Sequence, residues 1–307
     1  MYDYADYAER LLGLPTPTFF CAPCMGGAEP QSLDKFRDRF GSHRVIELSR
    51  WPRNANNSPG PVDDVIAPYN LSHLYMQKPG GRDGVLSRFA TNLVHAVFFG
   101  RYPHGDRYAK ISSFVRGNVP VVPYIVRPFP PGMSTMRDTL GIPTNQSVLC
   151  RYGGLSTFDI KYVHAAMAAA VQEREDLTFL LANTALFGKH HPRIRFLPSI
   201  DSDEGKATFI RTCDAMLHAR TGGETFGLAI AEFAGMQRRV ITERVSPAAV
   251  HLQELKENAI LYHDYNSTLK ILLRFNRSEP FAKVHPPPYH QYHPEPVMRQ
   301  FEHVFLS

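Results

Sequence analysis

Residues 213–232 read CDAMLHARTGGETFGLAIAE and combine a short apolar strand, a glycine-rich turn and the beginning of a helix. Gly223 and Gly227 mark the turn, and the apolar run from Leu228 predicts the helix. The first turn of a helix presents backbone N–H groups without intrahelical partners and the positive end of the helix dipole. Together with glycines, which let a ligand approach the backbone closely, this arrangement favours an anion such as a diphosphate.

Charged side chains surround this turn. Glu224 lies in the turn and Glu232 lies on the helix, and ionised carboxylates accept hydrogen bonds from hydroxyl-rich ligands. Arg220 precedes the turn and is the cation best placed to contact a phosphate. Arg151 follows the first predicted strand of the second half of the chain, where a permanent cation neutralises an anionic ligand such as a diphosphate. The sequence therefore predicts a site for an anionic, hydroxyl-rich ligand.

The rest of the chain alternates between strand and helix patterns. Helix-length segments separate most of the predicted strands, and this spacing is typical of parallel sheets in Rossmann-like domains. In the first half, residues 93–99 and 119–126 are predicted strands. Between 127 and 143 the composition shifts to Pro, Gly and Met, as in a linker. We expect Rossmann-like domains over 1–135 and 143–280, with a C-terminal helix at 294–307 that returns to the first domain.

Bulk properties narrow the class of protein. A chain of 307 residues is too long for one ordinary core. Its formal charge of +5 comes from scattered Lys and Arg, without a basic stripe interleaved with aromatics, so nucleic acid is not an expected partner. The charge suits an anionic ligand and is compatible with peripheral contact with a membrane. No apolar run approaches the roughly 20 residues of a membrane span, no signal peptide precedes Met1, and we expect a cytoplasmic location.

The spacing Glu224-x7-Glu232, with Phe-Gly-Leu inside it, resembles the Glu-x7-Glu signature of retaining GT-B glycosyltransferases, family 4 in particular (the group 1 type). The resemblance implies an α/β fold of two Rossmann-like domains whose parallel sheets face each other across a cleft. It implies that Glu224 contacts the hydroxyls of the donor sugar and that Glu232 holds the ribose hydroxyls. The diphosphate would lie against the backbone of Thr225, Phe226, Gly227 and Leu228. The runs at 2–13, 103–112 and 151–160 resemble a group of family 4-like proteins.

His104 is a further candidate in the first half. It follows the predicted strand 93–99, and we expect it at the carboxyl edge of the sheet, where parallel sheets bind ligands. There it resembles the His that faces the donor sugar in related enzymes. GT-B enzymes open with a strand and a glycine-rich loop, whereas Met1 falls at the entry to a predicted helix. We therefore expect the first domain to lack its usual first strand.

Two short patterns raise the question of a metal. Asp201-Ser202-Asp203 has the Asp-x-Asp form of the other major glycosyltransferase architecture, but Asp203 is interpreted as a helix N-cap. The four cysteines do not indicate a disulfide framework, and Cys21 and Cys24 are interpreted as reduced thiols. We expect neither a metal nor a cofactor.

The activity implied by the resemblance is transfer of a sugar from a nucleotide sugar to an acceptor hydroxyl, with retention of anomeric configuration. The donor would be a UDP- or GDP-sugar, and the acceptor a glycan or glycolipid. Two alternatives remain open from the sequence. One is a non-catalytic protein that binds a sugar nucleotide, and the other is a GT-B-like epimerase.

Overall fold

A computed structural model describes residues 1–21, 30–49, 62–283 and 287–307. The chain forms two compact units. The N-terminal unit comprises Met1–Ile125 together with Gln291–Ser307, and the C-terminal unit comprises Val126–His290. The strands of both units pair in parallel. The α/β class with parallel sheets is therefore confirmed.

The N-terminal unit contains two small parallel sheets. Its elements before the linker are α1 (Tyr2–Leu12), β1 (Phe19–Cys21), α2 (Pro30–Phe40), β2 (Val45–Glu47), α3 (Asp63–Ile66), β3 (His73–Lys78), β4 (Thr91–Ala96) and β5 (Arg107–Lys110). β1 pairs with β2, and β4 lies between β3 and β5. Because strands flank β4 on both sides, nearly all of it is buried.

Residues 119–126 do not form the strand that their apolar side chains predict. Pro120 and Pro123 have no backbone N–H, so this segment cannot sustain a ladder of hydrogen bonds. Its pairing with the sheet is a single bridge between Lys110 and Val121. The outer strand is instead β5, which reads RYAK and whose two charged residues hid it from the apolar pattern.

The C-terminal unit is a single sheet of six strands with helices between them. Its elements are β6 (Ser147–Arg151), α4 (Lys161–Glu173), β7 (Leu177–Ala182), β8 (Ile194–Leu197), α5 (Asp203–Thr212), β9 (Ala215–Leu217), α6 (Leu228–Gly235), β10 (Arg239–Glu243), α7 (Val250–Leu255), β11 (Ala259–Tyr262) and α8 (Tyr265–Arg274). The strands lie in the order β8-β7-β6-β9-β10-β11. Numbered from β6, this is the doubly wound order 3-2-1-4-5-6 of a Rossmann fold.

Burial and capping explain these elements. Every residue of β6 and β7 is buried, as expected for central strands covered on both faces. Helix α8 begins at a capping box formed by Asp264 and Ser267. Helix α5 begins at Ser202, whose hydroxyl accepts from Gly205 N–H at 3.0 Å, so the expectation that Asp203 is the N-cap is wrong. No helix in the described ranges has both the length and the apolar composition to cross a bilayer.

The last helix, α9 (Pro294–Phe301), belongs to the N-terminal unit and continues as a π-helical turn over Glu302–Leu306. It packs against α1, where the rings of Tyr4 and Phe301 stack at 5.3 Å. His95 of β4 is fully buried nearby, with its Nε2 2.7 Å from the carbonyl of Val122. Burial lowers the pKa of His95 to about 4. His95 is therefore a satisfied core histidine.

One disulfide, between Cys150 and Cys213, is present that the sequence did not predict. Cys150 lies near the end of β6, and Cys213 directly precedes β9, the strand that pairs with β6. The two residues are 63 positions apart, so nothing in the sequence alone connects them. Cys21 is a free thiol, and Cys24 lies outside the described residues.

Candidate functional site

A pocket of about 310 Å³ opens in the C-terminal unit where the chain leaves β6 and β9. These neighbouring strands form the switch point of the sheet, because their connections run in opposite directions along it. In doubly wound sheets, ligands bind in the crevice at the carboxyl ends of such strands. The lining residues are Arg151, Tyr152, Gly153, Gly154, Thr157, Met216, His218, Ala219, Arg220, Glu224, Gly227, Leu228, Ala229 and Ile230.

The turn before α6 requires glycine at Gly223. Its φ is +64°, in the left-handed region, and a Cβ there would lie 2.0 Å from the carbonyl oxygen of Ala248 and 2.7 Å from Ser246 Cβ. The next residue, Glu224, donates its N–H to Ala248 O at 2.7 Å. Close packing on the segment 246–249 therefore fixes the backbone that carries Glu224.

Helix α6 begins at the floor of the pocket. Its N-cap, Gly227, has φ +80°, and the first helical hydrogen bond runs from Ala231 N–H to Gly227 O at 2.9 Å. The N–H groups of residues 228–230 therefore have no acceptor inside the helix. Since Leu228, Ala229 and Ile230 line the pocket, the positive end of the helix dipole lies at its wall. This wall favours an anionic group.

Glu224 is the carboxylate of the pocket. Its Oε2 accepts from Arg220 at 2.9 Å, and its Oε1 lies 3.3 Å from His218 Nε2. Burial alone would raise the pKa of Glu224, but the contacts with His218 and Arg220 outweigh burial and lower it below its ordinary value of 4.5. Glu224 is therefore an ionised acceptor held from two sides, and its remaining lone pairs are open to a ligand.

Arg151 is a buried cation that lines the pocket but is bound to the protein. It is 3% exposed, and its NH1 donates to Asn183 O at 2.8 Å and Thr184 Oγ1 at 2.6 Å. Its NH2 donates to Gly154 O at 2.7 Å and Thr157 Oγ1 at 2.6 Å. All four terminal N–H groups are thus engaged by neutral acceptors.

No carboxylate of the described residues forms a salt bridge with Arg151. Burial lowers the pKa of Arg151 to about 10, which leaves the guanidinium protonated at neutral pH. Arg151 therefore contributes a positive charge to the pocket more readily than a hydrogen bond.

Glu232 lies behind the pocket and is 9% exposed. Tyr152 OH donates to its Oε2, and Lys206 Nζ lies 3.2 Å from its Oε1. Burial, together with this carboxylate, raises the pKa of Tyr152 well above its ordinary value, so the phenol stays a donor. Tyr152 therefore connects Glu232 to the pocket wall.

The predicted site residues fall into three groups. The structure brings five of them to the pocket wall: Arg151, Arg220, Glu224, Gly227 and Leu228. Four others belong to the same turn and helix but do not line it: Gly223, Thr225, Phe226 and Glu232. Of these, Phe226 is a core residue, 2% exposed, with its ring 6.2 Å from that of Tyr289.

His104 lies in the N-terminal unit, and its expected place at the carboxyl edge of the sheet is wrong. Asp106 N–H donates to Asn92 O at 2.9 Å, and Asn92 N–H donates to the Asp106 carboxylate at 2.7 Å. Residues 104–106 therefore lie beside the start of β4. The reason is that the loop from β4 returns to the amino edge before β5 begins. His104 Nδ1 contacts Tyr102 O at 2.7 Å, and burial lowers the pKa of His104.

Four polar residues around the site were not singled out from the sequence: Tyr152, Lys206, Thr242 and His251. Tyr152 follows β6, and Thr242 lies near the end of β10, so a polar residue at the carboxyl end of a buried strand was the available signal. Lys206 and His251 lie on helices α5 and α7 and carried no such signal.

The Asp-x-Asp pair does not form a cluster. Asp203 contacts Arg127 at 3.2 Å, whereas Asp201 accepts from Ser199 Oγ at 3.1 Å. Within the described part of the chain, no three His, Cys, Asp or Glu side chains are grouped so as to hold a metal ion.

No protein-family model matches the chain, and no curated protein matches it in sequence. Solved structures do match it. A glycosyltransferase from Rickettsia africae aligns over 99% of this chain and 89% of its own, with a TM-score of 0.56 and 14% identity. HepE of Anabaena in complex with UDP-glucose aligns over 92% and 98%, with a TM-score of 0.60 and 15% identity. The chain has the GT-B fold.

A sucrose-phosphate synthase from Thermosynechococcus elongatus has a TM-score of 0.50 and 14% identity, over 80% of this chain and 72% of that one. At such identities the likeness concerns the fold alone. The GT-B fold expected from the Glu-x7-Glu spacing is thus confirmed, while membership of family 4 and the roles of the two glutamates stay predictions.

Proposed function

We propose that this GT-B protein is a glycosyltransferase of the family 4 type, which moves a sugar from a nucleoside-diphosphate sugar to an acceptor hydroxyl with retention. The observation that carries the proposal is Glu224, an ionised carboxylate held beside the open N-terminus of α6 at the switch point of the sheet. That wall suits a diphosphate, and the carboxylate suits sugar hydroxyls. HepE, which shares the fold, was crystallised with UDP-glucose.

Each donor group has a proposed partner. The diphosphate contacts the backbone from Thr225 to Leu228 and the guanidinium of Arg220. The sugar hydroxyls donate to Glu224. The ribose hydroxyls bind Glu232, which keeps lone pairs free beyond its bonds to Tyr152 and Lys206. The donor is a UDP- or GDP-sugar.

The chemistry breaks the bond between the anomeric carbon and the diphosphate oxygen. The transition state is oxocarbenium-like, and negative charge grows on the leaving diphosphate. The α6 N-terminus and Arg151 stabilise that charge, since fixed dipoles and cations need no reorganisation during the reaction. Arg151 acts through its charge, because its terminal N–H groups are already engaged. The scheme uses no metal and no cofactor.

The remaining assignments concern the rest of the chain. The nucleotide sugar belongs to residues 143–280, and the acceptor, a glycan or glycolipid, to residues 1–135 together with the helix at 294–307. His104 is not part of the proposal, because it lies at the amino edge of its sheet. The proposal includes a cytoplasmic location, compatible with peripheral contact with a membrane.

The proposal is tested by incubating the protein with UDP-, GDP- and ADP-sugars and measuring release of the nucleoside diphosphate. We expect turnover with at least one donor and its loss in Glu224→Ala. Glu257→Ala, which changes an exposed glutamate of the same unit, is the matched control. Undiminished turnover in Glu224→Ala would exclude the role given to this carboxylate.

One observation favours a rival function, that of a non-catalytic protein that binds a sugar nucleotide. The N–H groups of Arg151 are hydrogen-bonded to the protein itself and are not free to bind a leaving group. That rival predicts tight nucleotide binding and no turnover with any donor. Proton NMR of the recovered nucleotide sugar separates both from an epimerase, which inverts one carbon of the sugar, leaves the nucleotide attached and does not change the mass.

A further inference from the structure

Three polar side chains stand in line behind Glu224. His218 Nδ1 lies 2.9 Å from Thr242 Oγ1, and Thr242 Oγ1 lies 3.1 Å from His251 Nε2. They come from three elements, since His218 follows β9, Thr242 lies in β10 and His251 in α7. His218 is 5% exposed, and Thr242 and His251 are fully buried. A buried polar chain of this kind costs free energy unless each hydrogen has an acceptor.

The direction of the hydrogen bonds follows from counting protons. Glu224 is ionised and accepts only, so the hydrogen toward it must sit on His218 Nε2. An imidazolium at His218 would direct a second hydrogen, on Nδ1, at Thr242 and leave one hydrogen of the line without an acceptor. In the neutral ring, Nδ1 is an acceptor and takes the single hydroxyl hydrogen of Thr242. The oxygen of Thr242 in turn accepts from His251 Nε2–H. Every hydrogen in the line is used once.

The far end of the line disfavours the reverse order. His251 Nδ1 is buried and has no hydrogen-bond partner among the residues that the structure describes. If Thr242 donated to His251 Nε2, a neutral His251 would carry its hydrogen on Nδ1, and a buried donor would be left unpaired. The proposed order leaves an unpaired acceptor at Nδ1 instead, and buried N–H groups without an acceptor are the rarer of the two in folded proteins. Burial lowers the pKa of His251 to about 3, so its ring is neutral.

The backbone holds the same residues in place. Tyr262 OH donates to His218 O at 2.7 Å, and His218 N–H donates to Ile241 O at 2.8 Å. The segment that leads into α7 also packs under Gly223 and accepts the N–H of Glu224 through Ala248. Both the main chain and the carboxylate of Glu224 are therefore fixed from the same side.

We propose that His218, Thr242 and His251 are positioning residues that hold the Glu224 carboxylate in the orientation that receives the donor sugar. The proposal rests on the proposed function for the role of Glu224, but the hydrogen-bonded line itself does not depend on that function. Residues that only support the turn would affect all ligands of the pocket alike. Substituting residues that position the carboxylate weakens binding of the sugar and leaves the contacts of the diphosphate intact.

The binding test uses two probes, UDP-glucose and UDP, measured by calorimetry on the full chain. Thr242→Val keeps the shape of the side chain but removes the hydroxyl, and Thr242→Ser keeps the hydroxyl but loses a methyl group. We expect Thr242→Val to bind UDP-glucose about fivefold more weakly, the effect of one lost hydrogen bond, and UDP unchanged. Thr242→Ser should restore the preference for UDP-glucose. Equal weakening for both probes, or no rescue by serine, would overturn the proposal.

A second measurement separates this proposal from the proposed function. The ¹⁵N shifts of the His218 ring, assigned with His218→Gln, report which nitrogen carries hydrogen in the free protein. We expect the Nε2–H tautomer in wild type and a mixture of tautomers in Thr242→Val. An Nδ1–H tautomer or an imidazolium in wild type refutes the line. If the tautomer is as expected and UDP-glucose does not bind, the hydrogen-bonded line of His218, Thr242 and His251 is supported, and the proposal that UDP-glucose is a donor is wrong.

Discussion

Replacing Gly223 by alanine tests the turn that carries Glu224. Gly223 has φ +64°, and an added Cβ would lie 2.0 Å from Ala248 O, which is backbone and cannot rotate away. Holding an L-residue in the left-handed region costs about 1–2 kcal/mol. Moving Ala248 also breaks the 2.7 Å hydrogen bond from Glu224 N–H, a loss of about 1 kcal/mol.

The sum for Gly223→Ala is about 2–3 kcal/mol of lost stability. At about 2–4 °C per kcal/mol, we expect the melting temperature to fall by about 4–12 °C. Affinity for UDP-glucose should fall as well, because Glu224 moves with the turn. The assay is thermal unfolding monitored by circular dichroism, paired with calorimetric titration of UDP-glucose.

Gly222 provides the matched control for this prediction. A Cβ on Gly222 meets no heavy atom within 4 Å, and its φ lies outside the left-handed region. Gly222→Ala should therefore leave the melting temperature and the affinity close to wild type. Equal behaviour of the two variants would refute the close packing of Gly223 on Ala248.

Three further predictions concern single features. Reducing the Cys150–Cys213 disulfide, whose ends are 63 residues apart, should lower the free energy of unfolding by up to about 4 kcal/mol in urea titrations. An unfolding free energy that is the same with and without reductant would contradict the presence of the disulfide. The folded pKa of Glu224 is lowered, so its ionised form stabilises the fold above pH 4.5. The stability advantage of wild type over Glu224→Gln should therefore shrink as pH falls through that lowered pKa, and a pH-independent difference contradicts it. Arg151→Lys keeps the charge but not the four bonds. It should lose at least about 2 kcal/mol of stability yet retain more turnover than Arg151→Met; equal turnover contradicts an electrostatic role.

Redox state also bears on location. Disulfides persist in oxidising compartments and are rare in the cytosol. Because both cysteines are buried, thiol labelling under denaturing conditions, on protein quenched in acid directly from cells, shows whether Cys150 and Cys213 are bonded there. A fully labelled pair agrees with the proposed cytoplasmic location, and a protected pair argues against it.

The sequence was most informative where the local pattern and the fold coincide. The apolar pattern predicts strands at 147–151, 177–182 and 259–262, and the structure has β6, β7 and β11 at these bounds. Residues 119–126 are equally apolar but contain two prolines, and backbone hydrogen bonding decided against a strand there. Strand β5 was not predicted because it contains two charged residues. As an edge strand it forms without an apolar pattern.

The same division applies to the candidate site. Arg220 and Glu224 are neighbours on one turn, so spacing alone placed them together. Thr242 and His251 reach Glu224 only through the pairing of β9 with β10 and the docking of α7. Arg151 was found by its position at the end of β6, but its bonds to the loop after β7 depend on long-range packing. Partners on the same turn were predictable, and partners that long-range packing brings together were not.

The most direct test of the central claim is a crystal structure of the full chain soaked with UDP-glucose. We predict the diphosphate against the backbone from Thr225 to Leu228, at the N-terminus of α6, with a sugar hydroxyl within hydrogen-bond distance of the Glu224 carboxylate. A nucleotide bound away from the switch point of the C-terminal unit, or a sugar without contact to Glu224, would contradict the account.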